Sequence, residues 1–139
     1  MTLKTIIDLI LEVAGNRPNI KTVREGNVYD LNDIPDVEYG VFYVTQGTHS
    51  FSQETITYNL NLFYIDRLTP NLDNRLQIQS DGITEIQNIL LLFAETYDVE
   101  IEYNANVTAF NQRFADDCAG VFVTVQITDV NDFGVCGIN

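Results

Sequence analysis

A chain of 139 residues suits one domain with a substantial core, and a content of 45% hydrophobic against 19% charged residues is too apolar for disorder. The net charge of -13 excludes ordinary binding to nucleic-acid phosphates and docking on anionic membranes, both of which need basic patches. Solubility, a surface that repels DNA, and docking to a basic partner remain open.

No apolar run is long enough to span a bilayer. Asp8 and Glu12 interrupt the apolar stretch Met1 to Gly15, which therefore does not read as a signal peptide and points to a protein made and kept in a cytoplasm. Cys118 and Cys136 are too few for a disulfide scaffold. Two packed thiols, or one disulfide tying the tail to the loop before the last strand, both fit. With His49 the single histidine and no Cys-x-x-Cys, a structural zinc site is not expected.

In chain order, Leu3 to Ala14 reads as a short amphipathic helix. Leu3, Ile6, Ile7, Ile10, Leu11 and Ala14 share one side, Thr2 caps the start, and Gly15 and Pro18 stop it. Residues 19–36 are less regular. Ile20 to Arg24, a turn at Glu25-Gly26-Asn27, and Val28 to Leu31 suit a small hairpin. Lys21, Arg24 and nearby Arg17 make it basic in a chain with only 7 Lys and Arg. It is either a solvated loop or a projecting arm that reaches the acidic face of a neighbouring copy.

Val37 to Gln46 is strand-like, Gly47 to Ser50 is a turn, and His49 reads as a surface turn histidine. Glu54 to Asp66 is the clearest strand. Ile56, Tyr58, Leu60, Leu62 and Tyr64 should face the helices, while Asn59 and Asn61 lie on the opposite, largely exposed face as surface polar residues or assembly contacts. Phe63 and Ile65 make the end of that strand apolar on both faces.

Thr69 to Tyr97 reads as one long helix with Thr69 as N-cap and Pro70 in the first helical position. Its apolar stripe is Leu72, Leu76, Ile83, Ile86, Leu90, Phe93 and Tyr97, with Gln79 the one polar residue in that register. The stripe keeps its phase across Gly82, which costs ~1 kcal/mol relative to Ala and implies a close approach there. A break with Ser80 as a second N-cap is the alternative. Gln79 on the stripe suggests a bond to a neighbouring backbone.

Val99 to Val107 alternates again, with Val99, Ile101, Tyr103, Ala105 and Val107 on one face and Glu100 and Glu102 on the other. Thr108 to Ala119 reads as a loop anchored by Phe110 and Phe114. Gly120 to Val130 is the last strand, with Val121, Val123, Val125 and Ile127 facing in. Residues 131–139 form a tail whose Phe133, Val135 and Ile138 call for docking on this chain or a neighbour. The whole reads as one α+β domain of two layers, an antiparallel sheet of about four main strands with one short and one long helix on one face.

No catalytic constellation is present: no Gly-x-Ser-x-Gly, no P-loop and no Gly-x-Gly-x-x-Gly. Asp129, Asn131 and Asp132 lack the Gly and terminal Glu of an EF-hand loop. Neither an enzyme nor a cofactor or metal is expected.

The phrases Asn61-Leu62-Phe63-Tyr64-Ile65-Asp66-Arg67-Leu68 and Asp73-Asn74-Arg75-Leu76-Gln77-Ile78-Gln79-Ser80-Asp81-Gly82-Ile83 resemble small neck and ring proteins of tailed bacteriophages, particularly of crAss-like phages. The order of elements is also similar to tail-terminator and tail-completion proteins. The resemblance implies a virion structural protein without enzymatic activity, assembled in the host cytoplasm. It implies a homo-oligomeric ring of about 6 or 12 copies in the head-to-tail connector, in contact with other neck, portal or tail proteins. Genomic DNA would pass through its lumen without specific binding. Lys21, Arg24, Asn59, Asn61, Phe110, Phe114, Phe133 and Ile138 are the candidate interface residues. An acidic DNA mimic or other protein-binding inhibitor is the rival reading, and a small ligand-binding domain is a third.

Overall fold

The computed structural model describes residues 1–27, 38–69, 71, 73–97, 99–102, 106–111 and 118–130. The chain opens with helix α1 (Leu3–Gly15), capped by the Thr2 hydroxyl, which accepts the Thr5 N–H at 3.1 Å. Strand β1 (Thr22–Glu25) follows, then β2 (Val41–Gln46), the two-residue β3 (Ser50–Phe51) and the long β4 (Thr55–Arg67). After helix α2 (Arg75–Thr96) come β5 (Glu100–Ile101), β6 (Val107–Asn111) and β7 (Cys118–Val130).

The two 13-residue strands β4 and β7 are the spine. They pair antiparallel from Thr55–Val130 to Arg67–Cys118, which sets inward Tyr58, Leu60, Leu62 and Tyr64 against Ile127, Val125, Val123 and Val121. The sheet runs β1-β2-β4-β7-β5, with β3 added to β4 beyond the end of β2 and β6 added to β7 beside β5. It is mixed rather than purely antiparallel, because β1 pairs with β2 in parallel, Thr22 to Val41 through Glu25 to Val44. The first limb of the expected hairpin is therefore an edge strand, and its second limb, Val28 to Leu31, lies outside the described residues. Gly40 makes that junction. Its φ of +81° places it where an added Cβ would lie 2.5 Å from the Asn19 carbonyl oxygen.

The expected strand from Val99 to Val107 is two pieces. Ile101 pairs with Ile127 and Val107 with Val123. Six steps separate these partners on this side and four on β7, so Ile101 and Val107 both pair with inward residues of β7. The expected loop from Thr108 likewise begins as strand β6, zipped to β7 from Val107–Val123 to Asn111–Ala119.

Both helices cover one face. Ile6, Ile7, Ile10 and Ala14 of α1 and Ile78, Ile86, Ile89, Leu90 and Phe93 of α2 join Leu60, Leu62, Tyr64, Val121, Val123, Val125 and Ile127 of the sheet in a single core. Helix α2 runs unbroken through Gly82 for 22 residues. Its start differs from expectation. The Thr69 hydroxyl is engaged with Asp73 at 2.6 Å and the Asn74 side chain with the Thr69 N–H and the Arg67 carbonyl, so the helix begins only at Arg75.

The stripe also differs. The buried face is Ile78, Gln79, Gly82, Glu85, Ile86, Ile89, Leu90 and Phe93, whereas Leu76 is 70% and Ile83 45% exposed. Helix α2 is rolled toward its glycine because that is where it can come closest. A Cβ on Gly82 would lie 2.7 Å from Val121 Cγ2 and 2.8 Å from Tyr64 Cδ1. Gln79 reaches out of the helix and donates to the Phe110 carbonyl at 3.1 Å, a bond to neighbouring backbone.

The far face of the sheet is divided. At one end Val41, Tyr43, Phe63, Ile65, Phe110 and Cys118 form a second buried cluster, with Phe63 stacked on Phe122 at 5.3 Å. The other end is polar, carrying Thr45, Asn59, Asn61 and Thr124.

Candidate functional site

The expected interface residues are scattered across three surfaces. Asn59 and Asn61 lie half-buried on the polar end of the far face. The Asn61 amide donates to Thr45 Oγ1 at 3.1 Å and its carbonyl accepts from Thr124 Oγ1 at 2.7 Å, a ladder across β2, β4 and β7 that follows directly from their register. The Asn59 side chain donates to the Thr48 carbonyl. Both asparagines are thus tied into the chain itself. Phe110 is not a loop anchor: it sits on β6, buried against Phe63 and Phe122. Phe114, Phe133 and Ile138 lie outside the described residues, as does Cys136, while Cys118 is buried.

Lys21 and Arg24 are exposed at the β1 edge. Lys21 Nζ donates to the Pro18 carbonyl at 2.9 Å and Arg24 Nη1 to the Val23 carbonyl at 2.9 Å. Arg17, expected to share that basic cluster, is turned inward. Its Nε donates to Glu85 Oε2 at 2.9 Å and its Nη2 to Oε1 at 3.4 Å, and Asn19 Nδ2 adds a bond to Oε1 at 3.1 Å. Burial pushes the Glu85 carboxyl up, but these hydrogen bonds and the Arg17 charge outweigh it and hold the carboxyl below its ordinary range. The pair joins the end of α1 to the middle of α2 and carries no chemistry of its own.

His49 accepts the Asn59 N–H on Nδ1 at 3.1 Å and faces Gln46 Oε1 through Nε2 at 3.1 Å. Its ring meets Tyr58 edge-on. The two groups its ring nitrogens meet, the Asn59 N–H and the Gln46 amide, are neither hydroxyl nor thiol nucleophiles. Burial, with Asp66, Asp81 and Glu85 adding to it, pushes the Tyr64 hydroxyl far up, so it stays protonated. Among the described residues no group of three or more His, Cys, Asp or Glu side chains comes together to hold a metal ion. Asp129 is engaged with the Met1 amine. No described helix is long and apolar enough to cross a membrane.

What the sequence reading missed is a groove. The roll of α2 leaves one margin of its apolar stripe uncovered, beside the β5–β6 side of the sheet. Ile83, Ile86, Gln87, Leu90 and Leu91 of α2, with Val107, Val123 and Glu102, line a cleft of about 300 Å³. Ile83, Leu91 and Val107 are each more than two-fifths exposed there. The signal was present: Leu76, Ile83 and Leu90 recur at heptad spacing beside the Gly82-centred face, which makes the apolar arc wider than one sheet can cover. Glu100 and Glu102, expected to share a strand face, border different clefts. Glu102 lines this one, and Glu100 lies with Thr128 and Asp129.

No protein-family model matches the sequence, and it matches no curated protein at a significant level.

Proposed function

We propose that this chain is a structural subunit of a tailed bacteriophage, forming a closed oligomeric ring in the neck around the DNA exit channel, with a tail-terminator-like arrangement. The observation that carries this reading is the exposed apolar margin of α2, Ile83 and Leu91, continuing onto Val107 of β6. Large apolar side chains gathered at a cleft mark a surface built for another protein. The net charge of -13 suits a lumen through which a polyanion must slide without sticking, because like charge repels phosphate at short range. The phrases around Asn61 to Leu68 and Asp73 to Ile83 point to the same class. Portal, tail or other neck proteins would be its axial neighbours and the virion its final location.

Imaging of the purified protein and of assembled particles tests this. Closed rings of uniform diameter are the expected result. A monomer at high concentration that is also missing from particles would refute it. A complex with a DNA-binding enzyme, with loss of that enzyme's activity, would favour the acidic-mimic reading instead.

A further inference from the structure

We propose that His49 is a proton-operated latch. Its neutral ring holds the arm from Gly47 to Phe51 on Asn59 of β4, and a proton on Nδ1 releases that arm.

The ladder between β2 and β4 runs regularly to Gln46–Leu60, and the Gly47 N–H still donates to the Asn59 carbonyl at 2.8 Å. Pairing resumes at Ser50–Thr57. The arm thus takes four steps from Gln46 to Ser50 where β4 takes three from Leu60 to Thr57, and one arm residue is left over. At that break the Asn59 N–H donates to His49 Nδ1 at 3.1 Å, so a side-chain nitrogen stands where a strand carbonyl would accept. The Asn59 side chain holds the residue between, donating to the Thr48 carbonyl. One residue of β4 grips three successive residues of the arm, and the third grip is an imidazole nitrogen.

That nitrogen makes the grip depend on protonation. With Nδ1 accepting, the neutral ring carries its proton on Nε2, which donates to Gln46 Oε1 at 3.1 Å. A second proton on Nδ1 turns the acceptor into a donor and sets N–H against N–H. The latch is therefore closed on the basic side of the His49 titration and open on the acid side. Tyr58 of β4 lies edge-on to the ring at 5.6 Å, with its hydroxyl on the Met1 carbonyl and Asp129 of β7 near that hydroxyl. Lys4 and Asp8 of α1 and Glu25 of β1 share a cleft with Gln46, and Glu54 follows β3 in the chain. Among the described residues none of these charges pairs with His49, so no ion pair replaces the lost bond. The arm ends in Phe51, at 80% the most exposed large apolar side chain among the described residues. The latch works within one copy, whatever the assembly.

Histidine NMR and amide exchange across pH test it on the full chain. On the basic side the ring should be the Nε2–H tautomer. Protection of the Asn59 amide, corrected at each pH for intrinsic exchange, should fall about tenfold as His49 takes up its proton, while the amides of the β4–β7 ladder keep theirs. His49→Ala should show the lowered protection at every pH. His49→Asn, which sets an amide oxygen that does not titrate near the place of Nδ1, should keep the protection at every pH. An Nδ1–H tautomer would overturn the latch, as would Asn59 protection that stays constant through the His49 titration or a His49→Ala variant that keeps the wild-type pH dependence.

Discussion

The Arg17 guanidinium and the Glu85 carboxylate, 2.9 Å apart, lock the exit of α1 to the buried face of α2. Glu85 is 3% exposed, and such a carboxylate is tolerated only while its partners remain. Glu85→Ala and Arg17→Ala should each destabilise the fold by about 3 kcal/mol, read as a lower denaturation midpoint at unchanged slope.

The same pair sets a pH dependence. The folded carboxyl lies below its ordinary range, so the unfolded chain binds the proton more tightly. The contribution is fully present above the ordinary carboxylate range and is lost as pH falls through the lowered folded value. Glu85→Gln should flatten the acid limb of the stability profile, and an unchanged limb would show that other carboxylates dominate it.

Gly82 is the point where α2 touches the sheet. An alanine there gains ~1 kcal/mol of helix propensity but meets Val121 and Tyr64 inside contact distance, an overpacking penalty of about 1–3 kcal/mol. Gly82→Ala should therefore be neutral to destabilising by about 2 kcal/mol, and Gly82→Val worse. Pairing Gly82→Ala with Val121→Ala should give less than the sum of the two losses, because the second substitution opens the space the first needs.

Gln79 holds the β6 backbone through the Phe110 carbonyl. Gln79→Leu should destabilise by about 1 kcal/mol. Amide exchange should rise selectively in β6 while the β4–β7 amides keep their protection. Uniform loosening of the sheet would contradict this local role.

The uncovered margin of α2 should matter for assembly and not for folding. Ile83→Ser and Leu91→Ser are expected to leave the thermal midpoint nearly unchanged and to weaken oligomers. A large drop in the midpoint with normal oligomers would place these side chains in the fold alone.

Much of the fold was legible in the residues. Thr2 as cap, the alternation of β4 and β7, the continuity of α2 and the close approach at Gly82 are local signals. The Gln79-to-backbone bond was legible too, as the odd polar residue on an apolar stripe. The parallel pairing of β1 with β2 was not, since register between segments separated by a long connection leaves no periodic mark. The roll of α2 escaped because the face it buries takes in Glu85, which looks like a solvent residue until Arg17 and Asn19 are brought to its carboxylate. The candidate interface was legible only in part. Lys21 and Arg24 are exposed as expected, Asn59 and Asn61 are bonded within the sheet, and Phe110 is buried by partners distant in sequence.

The most direct test is the native mass of the purified protein across a concentration series. The account predicts one closed species at an integer multiple of the subunit mass, weakened when Ile83 and Leu91 on the exposed margin of α2 are replaced by serine. A subunit mass at every concentration, or an open series growing without a preferred size, would contradict it.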